Sequence, residues 1–409
     1  MFSIMKTQLN FVLITITRET PENPYLIFRS LNSTGQDLTQ WDLVRNYVFM
    51  HVPEQQQEMF DHDEWTSLEQ RFEQKAKRLA AKKKEGKKKT AGELLTSFFR
   101  DVLMSKGNYI PEGEVFETFE LIYSGNGNTL DPSDFVSELE IQATGYDIID
   151  GTSTHSNPEV QRAFQMVREF DISASYPLIL ALLDKQREGV LSDEELAQAL
   201  VAIVSFVVRR SICRESTRSH GPLFCEACKK LESRPLVNLL AYLSKNWPDD
   251  SRFIPALQTA KLYKTLYGKD ILCWIERTLQ RKSEPVHLDR CDIERIMPEN
   301  LTASWQHVLG PEAQQIHAQY VSTLGNLTLL GSNENRKIKD KAFQEKKPVY
   351  IASRLSLNDY FHDSNLDQWG EKEILARAAK LAKIAAQIWT CPPSSDESTR
   401  IAVQPLRLL

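Results

Sequence analysis

The sequence predicts a mainly α-helical chain with a small α+β part: a helical bundle, a strand–loop–strand–helix unit, then a C-terminal helix. Three observations carry this. Between residues 175 and 282 apolar residues recur at helical intervals, with leucines at 178, 180, 182 and 183. Two short segments, Cys291 to Pro298 and Leu324 to Leu330, are separated by a linker and followed by the polar segment Asn333-Glu334-Asn335-Arg336. They read as two short strands and a basic helix. Finally, Asp367 to Trp389 places Ile374, Leu375, Leu381, Ile384 and Ile388 on one helical face, and Cys391-Pro392-Pro393 stops it.

At 409 residues the chain is long enough for two or three cored domains. Hydrophobic residues at 41% and charged residues at 26% are ordinary for a water-soluble chain. A net charge of −5 does not announce a nucleic-acid binder, but the charge is unevenly spread. No apolar run is long enough for a membrane span, and the first ten residues lack a signal-peptide core. Six irregularly spaced cysteines suit a reducing compartment. A cytoplasmic protein is expected.

The elements follow in order. Asn10 to Arg18 is rich in β-branched residues and reads as a strand; Pro24 to Leu31 is a short helix, and Asn32 to Gly35 a turn. Thr39 is placed to cap a helix through Met50 that buries Leu43, Val44, Tyr47 and Val48. A helix from Glu54 runs into a lysine-rich loop, 75–89. There Lys82, Lys83, Lys84, Lys87 and Lys88 make either a phosphate-contacting arm or a solvated loop. Helical spacing continues through Thr90 to Ser105, Glu112 to Ser124 and Pro132 to Ile149, with a turn at Gly125 to Asn128, and from Val160 to Phe170.

Ser192, with Glu195 three residues on, predicts a capping box. The helix it opens is apolar nearly all round through Val208, which places it at the centre of the bundle. Arg209 and Arg210 suit its C-terminus. Cys213, His220, Cys225 and Cys228 raise a zinc site, but their spacing supplies only half of one. Leu223, Phe224, Cys228 and Leu231 fit a buried helix face instead.

The strand–loop–strand–helix unit resembles the HNH nuclease of GmrSD-like modification-dependent restriction enzymes. The residues carrying the resemblance are Ile293-Glu294, Ile296-Met297-Pro298, Trp305, Leu324-Gly325-Asn326-Leu327-Thr328-Leu329-Leu330, Asn335 and Phe343 to Lys347. A second block also resembles this family: Ile27 to Gly35 followed by Asp42-Leu43-Val44-Arg45-Asn46 looks like the second half of its N-terminal nucleotide-using domain. The family's D-G-Q-Q-R nucleotide motif lies upstream of that block and does not occur here. A truncated N-terminal domain, or a start inside a longer gene, is expected, with no nucleotide binding.

The resemblance implies a ββα-metal (HNH) finger. In it Glu294 and Asn335 are the metal ligands, holding Mg²⁺ or Mn²⁺ if the finger is active. Asn326 orients the histidine or the phosphate, and Arg336, Lys337 and Lys339 face DNA phosphates. Arg295 stands where the family has its general-base histidine. An arginine keeps its proton at any usable pH and cannot serve as a base. It is also expected to pair with Glu294 and compete with the metal. His287, His307 and His317 have no spacing that aims them at the site.

The expected domains are 1–150, a remnant of the family's N-terminal domain; 151–283, the helical middle; 284–393, the HNH-like domain; and 394–409, a disordered tail. Two functional readings stay open. One is a weakly active or inactive endonuclease relative from a phage-defence system, acting on DNA, modified phage DNA included. The other is a non-enzymatic homologue that binds DNA or a partner subunit. A homo-oligomer is left open.

Overall fold

The computed structural model describes residues 38–82, 88–124, 130–280 and 287–392, with side chains at 82 left aside. The strand expected at Asn10 to Arg18, the helix and turn that follow it, the Gly125 turn, Lys83, Lys84, Lys87 and the tail from Ser394 lie outside the described residues. The chain divides into two compact units, whose described parts are residues 38–82, 88–103, 110–124 and 130–143, and residues 104–109, 144–280 and 287–392.

The first unit contains helices α1 (Gln40–Met50), α2 (Thr66–Lys82), α3 (Ala91–Met104), α4 (Val115–Ser124) and most of α5 (Pro132–Asp150). Thr39 caps α1 in a reciprocal box with Asp42, so Asp42 is spent on the helix end. Arg45 pairs with Asp61 at 2.8 Å. The core is aromatic. Trp41 stacks on Trp65 with centroids 5.1 Å apart, and Phe99 meets Phe119 and Phe135.

The second unit begins with a bundle: α6 (Pro158–Glu169), α7 (Tyr176–Arg187), α8 (Asp193–Ile212), α9 (His220–Cys228), α10 (Pro235–Ser244), α11 (Asp250–Thr259) and α12 (Gly268–Leu279). The Ser192–Glu195 box opens α8 as expected. Helix α8 is buried from Leu196 nearly to its end and packs against α6, α7, α10 and α11. Its terminal arginine does more than offset a helix dipole. Arg209 is fully buried, donating to the carbonyls of Trp389 and Pro248 and pairing with Asp250 at 2.6 Å. The arginine thus fastens the chain that follows the last helix.

The finger follows. Strands β1 (Cys291–Arg295) and β2 (Leu327–Gly331) form a two-stranded antiparallel sheet, with Glu294 opposite Thr328 and Arg295 opposite Leu327. The linker holds α13 (Ala303–Leu309) and α14 (Ala313–Tyr320). After β2 come α15 (Ser332–Ile338), α16 (Phe343–Ile351) and α17 (Glu371–Ile388). One apolar cluster joins Ile296, Met297, Trp305, Leu330, Phe343, Tyr350, Phe361 and Trp369. The expected mainly α architecture with a small α+β part is therefore what the chain adopts, with a two-stranded sheet among the described residues.

Helix α17 is packed onto the finger at backbone distance. A Cβ at Gly325 would lie 2.0 Å from the carbonyl oxygen of Ile374, so only glycine fits there. Arg377, fully buried, donates to the carbonyls of Gly325 (3.0 Å) and Leu327 (2.6 Å). With no carboxylate beside it, burial lowers its pKa to about 10.

Candidate functional site

Strand β1 sends successive side chains to opposite faces, and this separates the two residues expected to interact. Glu294 turns inward and is 5% exposed. Its Oε1 accepts from Lys346 Nζ at 2.7 Å and from the Tyr350 hydroxyl at 3.0 Å, both donors on α16. Lys346 is fully buried and donates also to the carbonyl of Arg295 at 2.9 Å. Burial pushes the Glu294 carboxyl up and the Lys346 ammonium down, while their mutual attraction works against both shifts.

Arg295 takes the other face. Its guanidinium lies over the Tyr263 ring, 3.5 Å from the centroid, and donates to Glu299 at 2.7 Å. The expected Arg295–Glu294 pair does not form, because the pleat points the two side chains apart. The cation beside Glu294 is Lys346. Glu299 is held below the usual carboxylate range, first by its hydrogen bond to Arg295.

Asn326 is fully buried and its amide is saturated. Its oxygen accepts from Met297 N at 2.8 Å and Trp369 Nε1 at 3.0 Å; its nitrogen donates to the carbonyls of Met297 and Val321. The resemblance implied that it orients the histidine or the phosphate. Here it braces the two ends of the finger and leaves no lone pair or proton for a ligand. Asn335 is half-buried on α15, and its Nδ2 donates to the carbonyl of Ile293 at 3.3 Å, tying the helix to β1.

The basic positions separate by exposure. On α15 Ile338 points into the core, while Arg336 and Lys337, with Lys339 just after the helix, are exposed. Arg336 is steadied by Asn333 at 2.7 Å and the carbonyl of Ser332. In the lysine-rich stretch Lys82 ends α2 and Lys88 is exposed. Lys75 is buried instead, over the Phe72 ring. His317 is drawn to the carbonyl of Pro298 at 2.8 Å, and His287 is exposed.

Residues 247–384 match the family described as GmrSD restriction endonucleases, C-terminal domain. The chain carries a GmrSD-type C-terminal domain. No curated protein matches the chain. The GmrSD-type domain takes in α11, α12, the sheet and most of α17, so the bundle's last helices and the finger fall in one matched stretch. Among the described residues no three His, Cys, Asp or Glu side chains come together to hold a metal ion, at Cys225 and Cys228 or in the GmrSD-type domain. No described helix is long and apolar enough to cross a membrane.

Sequence reasoning gave no role to two residues of this site: Lys346, inside the Phe343 to Lys347 block, and Tyr350. The signal was present: Phe343 and Lys346 stand three apart on a helix, which puts them on one face. Phe343 stacks on Trp369 at 5.4 Å and thereby aims Lys346 inward.

Proposed function

We propose that the protein is an HNH-type relative of the GmrSD restriction endonucleases that binds DNA and hydrolyses it weakly or not at all. The observation that carries the reading is Arg295. By the resemblance it stands where the family has its histidine; a guanidinium is no general base, and this one is committed to Glu299 and Tyr263. His317 does not stand in for it, being turned to the carbonyl of Pro298. Loss of a general base costs about 10²- to 10⁴-fold in rate. The exposed Arg336, Lys337 and Lys339 supply the phosphate-facing charge that sequence-independent DNA binding needs. We take modified phage DNA as the substrate class that the sequence resemblance implies, and cytoplasmic defence as the setting.

The test compares wild type, Arg295→His and Asn335→Ala on one supercoiled plasmid with Mg²⁺ or Mn²⁺, beside a DNA-binding titration. Wild type should bind and nick no faster than Asn335→Ala. Robust wild-type nicking that Asn335→Ala abolishes would overturn the reading, and so would absence of DNA binding.

A further inference from the structure

We infer that Lys346 supplies, from within the chain, the positive charge that a bound cation would supply beside Glu294, and that the finger holds its shape without a divalent metal. The inference rests on reading Glu294 as the acid of an HNH-like finger, and the experiment below separates the two.

The acid expected to hold the metal is already engaged through one of its oxygens. Glu294 Oε1 accepts two hydrogen bonds, from an ammonium at 2.7 Å and a phenol at 3.0 Å. Asn335 is tied through its Nδ2 to the carbonyl of Ile293, so its side chain is held against β1. Mg²⁺ demands a near-octahedral oxygen shell at about 2.1 Å and gives up its water reluctantly. A carboxylate only 5% exposed, with an ammonium against it, offers neither the open hemisphere nor the excess negative charge. The donor set therefore does not fit a divalent ion.

The ammonium is held firmly in that place. Lys346 is 0% exposed and binds the carboxylate and the carbonyl of Arg295 together, so it joins the side chain and the backbone of β1. The next residue, Lys347, is tied to the carbonyls of Asp363 and Leu366 at 2.9 and 2.7 Å, which fixes the other side of α16. Phe343 wedges the start of the same helix against Trp369. A lysine anchored this way is part of the fold rather than a side chain that happens to be near an acid.

The probe is Mn²⁺ alone, added to the full chain and followed by spectroscopy and by thermal unfolding. Wild type should show no saturable site up to millimolar Mn²⁺ and the same Tm in EDTA as in Mn²⁺. Lys346→Met frees Glu294, and its Tm should rise with Mn²⁺. Glu294→Gln combined with Lys346→Met should lose that rise. A wild-type Tm that falls in EDTA, with the fall absent from Glu294→Gln, would overturn the inference. A Lys346→Met chain that folds and ignores Mn²⁺ would overturn it too. If Lys346→Met does not fold, the wild-type comparison alone decides. DNA binding measured in EDTA keeps the inference apart from the functional reading. Binding together with a Mn²⁺ site refutes only the inference; neither binding nor a Mn²⁺ site refutes only the reading.

Discussion

The interior of the finger and its exposed helix α15 use polar residues in opposite ways. Inside, Glu294, Lys346, Tyr350 and Asn326 satisfy one another and the backbone. Outside, Arg336, Lys337 and Lys339 face solvent. The residues that chemistry would need are turned inward, while those that a phosphate backbone would meet are turned outward. Buried charge specifies this interior; exposed charge leaves α15 available to a polyanion. Changes inside should thus read out as stability, and changes on α15 as affinity.

The largest effect is expected at the buried pair. Lys346→Ala or Glu294→Ala alone leaves an uncompensated group and should cost about 3–5 kcal/mol in denaturant unfolding. The double substitution to neutral residues of similar size should cost much less than the sum. Simple additivity would break the comparison at its interior side.

Next comes Gly325→Ala. With the added carbon 2.0 Å from a backbone carbonyl, α17 must shift, at a cost on the order of 1–3 kcal/mol or more. An unchanged Tm would show that the helix is not held at that distance. Asn326→Leu strips four hydrogen bonds and strands the Met297 backbone groups, costing about 1–3 kcal/mol.

A smaller effect belongs to the bundle. His220 is buried beside Arg210 and Phe206, and burial, then Arg210, lowers its pKa from 6.5. A depressed folded value means its contribution to stability is complete above 6.5 and is lost as pH falls through the folded pKa. His220→Phe should flatten that acid-side loss in stability-versus-pH curves; an unchanged slope would assign the loss elsewhere.

The smallest stability change is expected on α15. Replacing Arg336, Lys337 and Lys339 with Ala should move stability by no more than about 0.5 kcal/mol. The same triple change should flatten the dependence of log K on log salt for DNA by up to about 2.7. An unaltered salt slope would remove α15 from the binding surface.

The legible parts of the sequence were local. Thr39, and Ser192 with Glu195, are caps written in the local sequence. The all-round apolar run of α8 announced its central place. The two strands and α15 came from short patterns. The missed contacts were distant. Lys346 meets Glu294 across 52 residues, and Arg209 meets the Trp389 carbonyl across 180. Nothing in a local window says which buried cation will face which acid. The alternation of β1, by contrast, was available from the outset and should have ruled out a side-chain pair between Glu294 and Arg295.

The grip of α17 on the finger also bears on the order in which the chain matures. Arg377 binds carbonyls at Gly325 and Leu327, which precede it by 52 and 50 residues. A chain emerging from the ribosome will therefore expose both strands well before their backbone acceptors are satisfied. The bundle around α8 is made earlier and can condense around its own apolar helix. The finger must wait for its last helix. Stalled or clipped chains ending before that helix should carry a folded bundle beside an unfinished, protease-sensitive sheet.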